Sequence, residues 1–166
     1  MIYENLLKSN PRAELARRNL LDFVVYNKPD YQVNWHHKLL CHYLDRFVRG
    51  EITRLMVFMP PQHGKSELVS RQLPAFILGR QPKTKIVLAS YSADLASSFN
   101  RDCQRIMDGD AYRDVFPDTQ LNSSNVVTIA KGNWLRNSDI FEVVGHGGFL
   151  KTTGVGGSLT GTPVLS

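Results

Sequence analysis

Cysteine is scarce in this sequence, with two residues, Cys41 and Cys103, among 166. Neither has metal-ligand spacing. Both fall on expected helices as small buried hydrophobes, so nothing argues for a disulfide framework or an oxidising compartment. Long apolar runs are also missing, and none is long enough to span a bilayer. The first residues, Met1-Ile2-Tyr3-Glu4-Asn5, offer neither the basic start nor the apolar core of a signal peptide. There is no internal repeat and no low-complexity segment.

What is present suits one soluble domain with a real core: 42% hydrophobic and 21% charged residues. The net charge of +5 and pI near 9.4 fit a polyanion partner. Lys and Arg are scattered rather than clustered, so a solvated basic surface fits equally well.

One stretch organises the rest: Leu55-Met56-Val57-Phe58-Met59-Pro60-Pro61-Gln62-His63-Gly64-Lys65-Ser66-Glu67. The apolar part, about 54–58, predicts a buried strand, stopped by two prolines that cannot continue it. Gly-Lys-Ser and a helix-compatible segment follow. Strand, tight loop, Gly-Lys-Ser and helix together make a phosphate cradle lined by backbone N–H groups. In such a cradle Lys65 lies along the β- and γ-phosphates and the Ser66 hydroxyl takes one Mg²⁺ position. The usual first glycine of the pattern is replaced by Met59. The bland alternative is a turn in which Gly64 permits the bend and Lys65 is solvated.

Taken in order, Asn10-Pro11 predicts an N-cap and first helical residue. Ala13, Ala16, Leu20, Phe23 and Val24 then recur at helical spacing up to Asn27-Lys28-Pro29. A second amphipathic helix follows Asn34, with Leu39, Leu40, Tyr43, Leu44, Phe47 and Val48, and ends near Gly50. Trp35 and His36 at its start allow two readings: a packing cap, which is favoured, or the lining of an adenine pocket. The adjacent histidines lack a third ligand, so a metal is rejected. After Lys65 a helix carries Leu68, Val69 and Leu73. Pro74 should interrupt it and Gly79 should stop it. The run 86–90 predicts a parallel strand covered on both faces, paired with 54–58 in a right-handed unit. Ser92 caps a further helix with Leu95, Ala96, Phe99, Cys103, Ile106 and Met107 on one stripe. Short strands are expected near 126–129, 133–136 and 140–144, with 149–152 beyond them, as an antiparallel appendage. A glycine-rich tail, 153–166, closes the sequence.

Asn34-Trp35-His36, then 59–67, then Ala89-Ser90-Tyr91-Ser92, Tyr112-Arg113-Asp114-Val115-Phe116-Pro117 and 154–161 stand in an order that resembles phage terminase large subunits. The resemblance covers nearly the whole sequence from Asn34. It implies a P-loop NTPase-type α/β fold, a three-layer parallel sheet incomplete at the C-terminus. It divides the chain into an N-terminal helical region, 1–50, holding the adenine-contacting segment, and a partial ATPase core, 51–166. It also implies ATP and Mg²⁺ at Gln62, His63, Gly64, Lys65, Ser66 and Glu67, with Trp35 and His36 near the adenine and Ser66 on the metal. Ser90 and Tyr91 would end the second parallel strand near the nucleotide. The implied partners are double-stranded DNA, a portal protein and a terminase small subunit, in an oligomeric ring in the bacterial host cytoplasm, with no membrane.

The departures shape the expectation. Relatives usually continue past the Gly-Gly-Ser-Leu-Thr-Gly segment into the Walker B strand and its paired acids. This sequence has Thr162-Pro163-Val164-Leu165-Ser166 there, and Gln62 stands where many relatives carry Arg. The expectation is an incomplete terminase that binds nucleotide with little or no hydrolysis and names no catalytic residue. Two alternatives stay open: another P-loop translocase or helicase, and a non-enzymatic nucleotide-binding or interaction module.

Overall fold

A computed structural model of the chain describes residues 10–127 and 134–156. Among the described residues, six α-helices and a small three-stranded sheet make an α/β fold. Asn10 caps α1 (Pro11–Arg18) by accepting the Arg12 N–H, with Pro11 in the first turn where its missing N–H costs nothing. The expected single helix is two: Asn19 is extended, and α2 (Leu20–Asn27) starts after it. The break is stabilised from outside, because Asp45 accepts the Leu20 N–H that Asn19 leaves uncapped. All five residues of the expected stripe are buried.

Helix α3 (Trp35–Val48) turns a different face inward than its apolar residues foretell. His37, Leu40, Cys41, Leu44 and Asp45 are buried, whereas Trp35, Leu39, Tyr43 and Phe47 are exposed. The packing-cap reading of Trp35 is therefore corrected, since 72% of its surface is open.

The expected strand at 54–58 is also corrected. The segment has no regular secondary structure and belongs to no sheet among the described residues. Leu55, Val57 and Met59 lean on the core while Met56 and Phe58 face out, at 79% and 84% exposure. The alternation is strand-like, but no described strand pairs with it, and without a ladder the period alone makes no sheet.

After Lys65 the helix runs through a π-helical stretch (Glu67–Gln72) into α4 (Leu73–Arg80). The wider turn precedes Pro74, which has no N–H to give, and the helix stays continuous through the proline. Gly79 lies in the last turn of α4, which ends one residue later at Arg80.

The sheet order is β1 (Lys85–Ser90), β3 (Phe149–Gly154), β2 (Ile140–Glu142). β1 pairs in parallel with β3, from Lys85 opposite Phe149 to Ser90 opposite Gly154. β2 is antiparallel to β3. The parallel partner of 85–90 is thus 149–154, not 54–58, and the supposed appendage supplies the central strand. β1 is half-buried, not covered on both faces. Helix α5 (Ala93–Asp108) follows β1, capped by Ser92, and the short α6 (Asp110–Val115) was not foreseen. Val126 and Arg136 form an isolated antiparallel bridge, as do Arg136 and Phe141. The expected strand residues 128–129 and 133 and the tail from 157 lie outside the described residues.

The core is aromatic at its centre. Phe23, Phe76, Tyr112 and Phe116 meet with ring centroids 5.3–6.3 Å apart. Burying each such ring is worth about 1.5–3 kcal/mol. Tyr112 keeps its hydroxyl satisfied by donating to the Ala75 carbonyl at 3.1 Å.

Candidate functional site

The loop from Pro60 to Ser66 leads the preceding segment into the helix. Its backbone is unusual at two places: Gln62 has φ +63° and Gly64 has φ +82°. Residues in this left-handed region alternating with ordinary ones curl a chain so that successive N–H groups converge. Met59, Pro60, Pro61, Gln62, Gly64, Lys65, Ser66 and Glu67 line a concavity of about 470 Å³ there. Among the described residues, no hydrogen bond uses the backbone N–H of Gln62 through Glu67 as donor. The first carbonyl of the helix, on Gly64, accepts from Leu68 at 3.0 Å.

Lys65 and Ser66 are exposed at the start of the helix, and neither side chain has an ion pair or hydrogen bond among the described residues. Glu67 is placed differently. Its carboxylate accepts from Gln72 Nε2 at 3.1 Å and lies 3.9 Å from Arg71 Nη1 and 4.0 Å from Lys28 Nζ. It lines the concavity while being tied to the helix and to the loop after α2.

Trp35 and His36 meet edge to face at 5.7 Å. They line a second, apolar groove of about 470 Å³ with Leu39, Leu40, Tyr43, His63 and 55–60. Met59 and Pro60 line both cavities, so the two lie side by side. The structure thus brings Trp35, His36 and residues 62–67 to one end of α3 and the loop and helix start beside it, whereas Ser90 and Tyr91 line neither cavity. His36 stands 4.0 Å from the His37 ring and 5.8 Å from that of His63. Partial burial first, then these two neighbours, hold its pKa below the ordinary 6.5.

Two residues that sequence reasoning passed over hold the loop from behind. His37 Nε2 is 3.2 Å from the His63 carbonyl. Tyr31 stacks at 5.2 Å on His37, and its buried hydroxyl has no hydrogen-bond partner among the described residues. Burial is the main cause that pushes the Tyr31 hydroxyl up to about 12, with Cys41 and Glu67 adding to it. A Cβ on Gly64 would come within 2.8 Å of His37 Nε2 and 3.1 Å of the Tyr31 hydroxyl. Asn34 and His37 form a capping box, three residues apart, and that spacing was a visible signal in the sequence.

Among the described residues, no group of three His, Cys, Asp or Glu side chains is arranged to hold a metal, and no helix is long and apolar enough to cross a membrane. No curated protein and no solved structure matches the chain. One family model does, that of the N-terminal part of the T4-like-virus type of terminase large subunit, over residues 56–148. The match covers more than half of the chain and includes the loop and its flanking elements. The chain therefore belongs to the family of T4-like terminase large subunits, in their N-terminal region, which implies a role in packaging phage DNA.

Proposed function

We propose that the loop 60–66 binds the polyphosphate of ATP and that the neighbouring groove receives the adenine. The supporting observation is the set of unspent N–H groups from Gln62 to Glu67 around one concavity, with the unpaired Lys65 ammonium on its lining. Free N–H groups in a helix's first turn are ordinary. The left-handed residues Gln62 and Gly64 extend the array beyond that turn.

In this reading the N–H groups of Gln62, His63, Gly64 and Lys65 contact the phosphates. The Lys65 ammonium lies along the outer two as a point charge. The Ser66 hydroxyl, without a partner among the described residues, fits the one protein oxygen such a site gives to Mg²⁺. Mg²⁺ held there would neutralise phosphate charge. Trp35 offers its exposed face for stacking, and His36 borders the same groove. Glu67 contributes indirectly, by tying the first helical turn to Lys28 and Arg71.

Glu67 is the one carboxylate lining the concavity among the described residues, and it is already ion-paired. Hydrolysis needs a carboxylate free to order the metal and the attacking water, so binding with little turnover is the expected behaviour. The finer fold reading follows the same line. The helical region 1–50 would carry the adenine contacts and 51–166 the core of a P-loop ATPase with a three-layer sheet. Double-stranded DNA, a portal and a small subunit are its proposed partners, with a ring as the assembly.

Titration calorimetry with Mg·ATP on the full chain and on Lys65→Ala tests the reading. The lysine variant should fold as before and bind at least about tenfold more weakly, the loss of one charged contact. Equal affinity in both proteins, or none in either, overturns it.

A further inference from the structure

We propose that His37 is a positioning residue that sets the orientation of the His63–Gly64 peptide, and with it the donor the cradle presents to an anion. The inference rests on the phosphate-binding reading of the loop and names the residue that holds the loop in that form.

The two ring nitrogens of His37 have different partners. The Asn34 backbone N–H donates to Nδ1 at 3.0 Å, so Nδ1 carries no proton. The other nitrogen, Nε2, faces the His63 carbonyl oxygen at 3.2 Å, which can only accept. The ring is therefore neutral with its proton on Nε2, and it donates to His63. The capping box of α3 fixes the tautomer, and the tautomer fixes the loop.

A peptide plane has two ends. The described chain has no cis peptide bond, so the carbonyl of His63 and the N–H of Gly64 point in opposite directions. Holding the carbonyl toward α3 sends the N–H the other way. His37 does not line the concavity, whereas Gly64 does. The pinned plane thus presents a donor to the concavity and keeps a carbonyl, which would repel an anion, behind it.

This restraint is needed because Gly64, at φ +82°, has little intrinsic preference between the two orientations of that plane. His37 and Tyr31 also close the space on the far side of Gly64, which a single methyl would overfill.

Two substitutions separate the loop tether from the helix cap. In His37→Gln the side-chain oxygen can accept from Asn34 and the amide nitrogen can reach His63. In His37→Asn the oxygen still reaches Asn34, but nothing reaches His63. The probe is inorganic tripolyphosphate with Mg²⁺, measured by calorimetry. Thermal melts and proton–nitrogen spectra of the His37 ring and the Gly64 amide accompany it. The expected result is binding by His37→Gln within about twofold of wild type, and by His37→Asn at least about tenfold weaker at an unchanged melting temperature. The wild-type ring should show its proton on Nε2, and Gly64 N–H exchange should change only in His37→Asn. Wild-type affinity in a folded His37→Asn, or a ring protonated on Nδ1, overturns the proposal. Failure of wild type to bind tripolyphosphate rejects the phosphate reading instead, and the tautomer and Gly64 exchange then decide the tether alone.

Discussion

Gly79 lies directly against the ring of Phe116, so close that a Cβ there would come within 2.3–2.6 Å of three ring carbons. The glycine sits within α4, where it would normally cost helix stability of about 1 kcal/mol relative to alanine. Replacing it therefore pits two effects against each other. Phe116 cannot yield easily, because Phe23, Phe76 and Tyr112 box it in. Overpacking of this kind costs about 1–3 kcal/mol and outweighs the propensity gain. Gly79→Ala should lower the urea midpoint, and Gly79→Ala with Phe116→Leu should recover part of the loss. A single alanine variant more stable than wild type would show that the ring moves freely.

Asp45 gives a pH prediction with a definite sign. It is buried, and its carboxylate accepts the Leu20 N–H at 2.9 Å. Burial is the largest influence and raises its pKa above the ordinary 3.8, while the Leu20 bond and then Arg49 and Arg80 pull it back. The folded state holds this proton more tightly than the unfolded chain. The contribution of Asp45 is therefore fully present below 3.8 and is lost as pH rises through the raised folded value. Asp45→Asn keeps an acceptor for Leu20 without the buried charge. Its stability relative to wild type should rise from acid pH toward pH 7, read from paired urea melts. Asp45→Ala leaves the Leu20 N–H without its acceptor and should cost about 1–3 kcal/mol at either pH.

These two sites also mark what the sequence could and could not disclose. Helical stripes such as Ala13, Ala16, Leu20, Phe23 and Val24 were legible because burial repeats with the helix's own period. The caps at Asn10 and Ser92 were legible because they act within one turn. The Asn19 break was not, because its missing cap comes from Asp45, 26 residues away in sequence from Asn19. Gly79 reads as a helix stop from its neighbours and as a packing notch only once Phe116 is in place. The segment 54–58 has a strand's alternation, but pairing is decided by distant residues, and β1 found its partner in 149–154. In the candidate site, Gly64, Lys65 and Ser66 stood out by motif. Tyr31 and His37 act from behind the loop, and only the Asn34–His37 capping box hinted at them.

Arg136 ties three pieces of chain together. Its guanidinium donates to Asp108 at the end of α5, to Gln104 Oε1 at 3.0 Å and to the Asn122 carbonyl. Its side chain is 15% exposed and that of Asp108 is 41%, so the pair is partly screened by solvent. Arg136→Met keeps most of the packing and removes the four side-chain hydrogen bonds. The expected cost is about 1–3 kcal/mol, mainly from Gln104 and the Asn122 carbonyl losing their partner. Arg136→Met, Asp108→Asn together should cost less than the sum of the two single changes, because the second removes a charge the first left unpaired. Strict additivity in urea melts would show that the pair does not act as one unit.

Gly64→Ala is the sharpest perturbation of the cradle itself. Two independent obstacles meet there. At φ +82° an alanine pays about 1–2 kcal/mol for the left-handed backbone. Its methyl would also press on His37 Nε2 and the Tyr31 hydroxyl. Relief comes most easily by moving the half-exposed loop, not the buried ring behind it. If the loop binds nucleotide as proposed, the loss should therefore appear in nucleotide affinity more than in global stability. We expect Gly64→Ala to lower the melting temperature by only a few degrees, since most of the hydrophobic core lies elsewhere. Binding of Mg·ATP should fall by about a hundredfold or more, because the His63–Gly64 plane no longer fits against His37. Trimming the wall with Tyr31→Phe should restore little, because the closer contact is with the imidazole. His37→Ala in the same chain removes the clash without restoring the tether, so the double variant, which keeps the left-handed strain and loses the capping box, should melt below wild type and still bind poorly. Recovery of affinity in that double variant would show that open space around Gly64, and not the hydrogen bond from His37, is what the cradle requires.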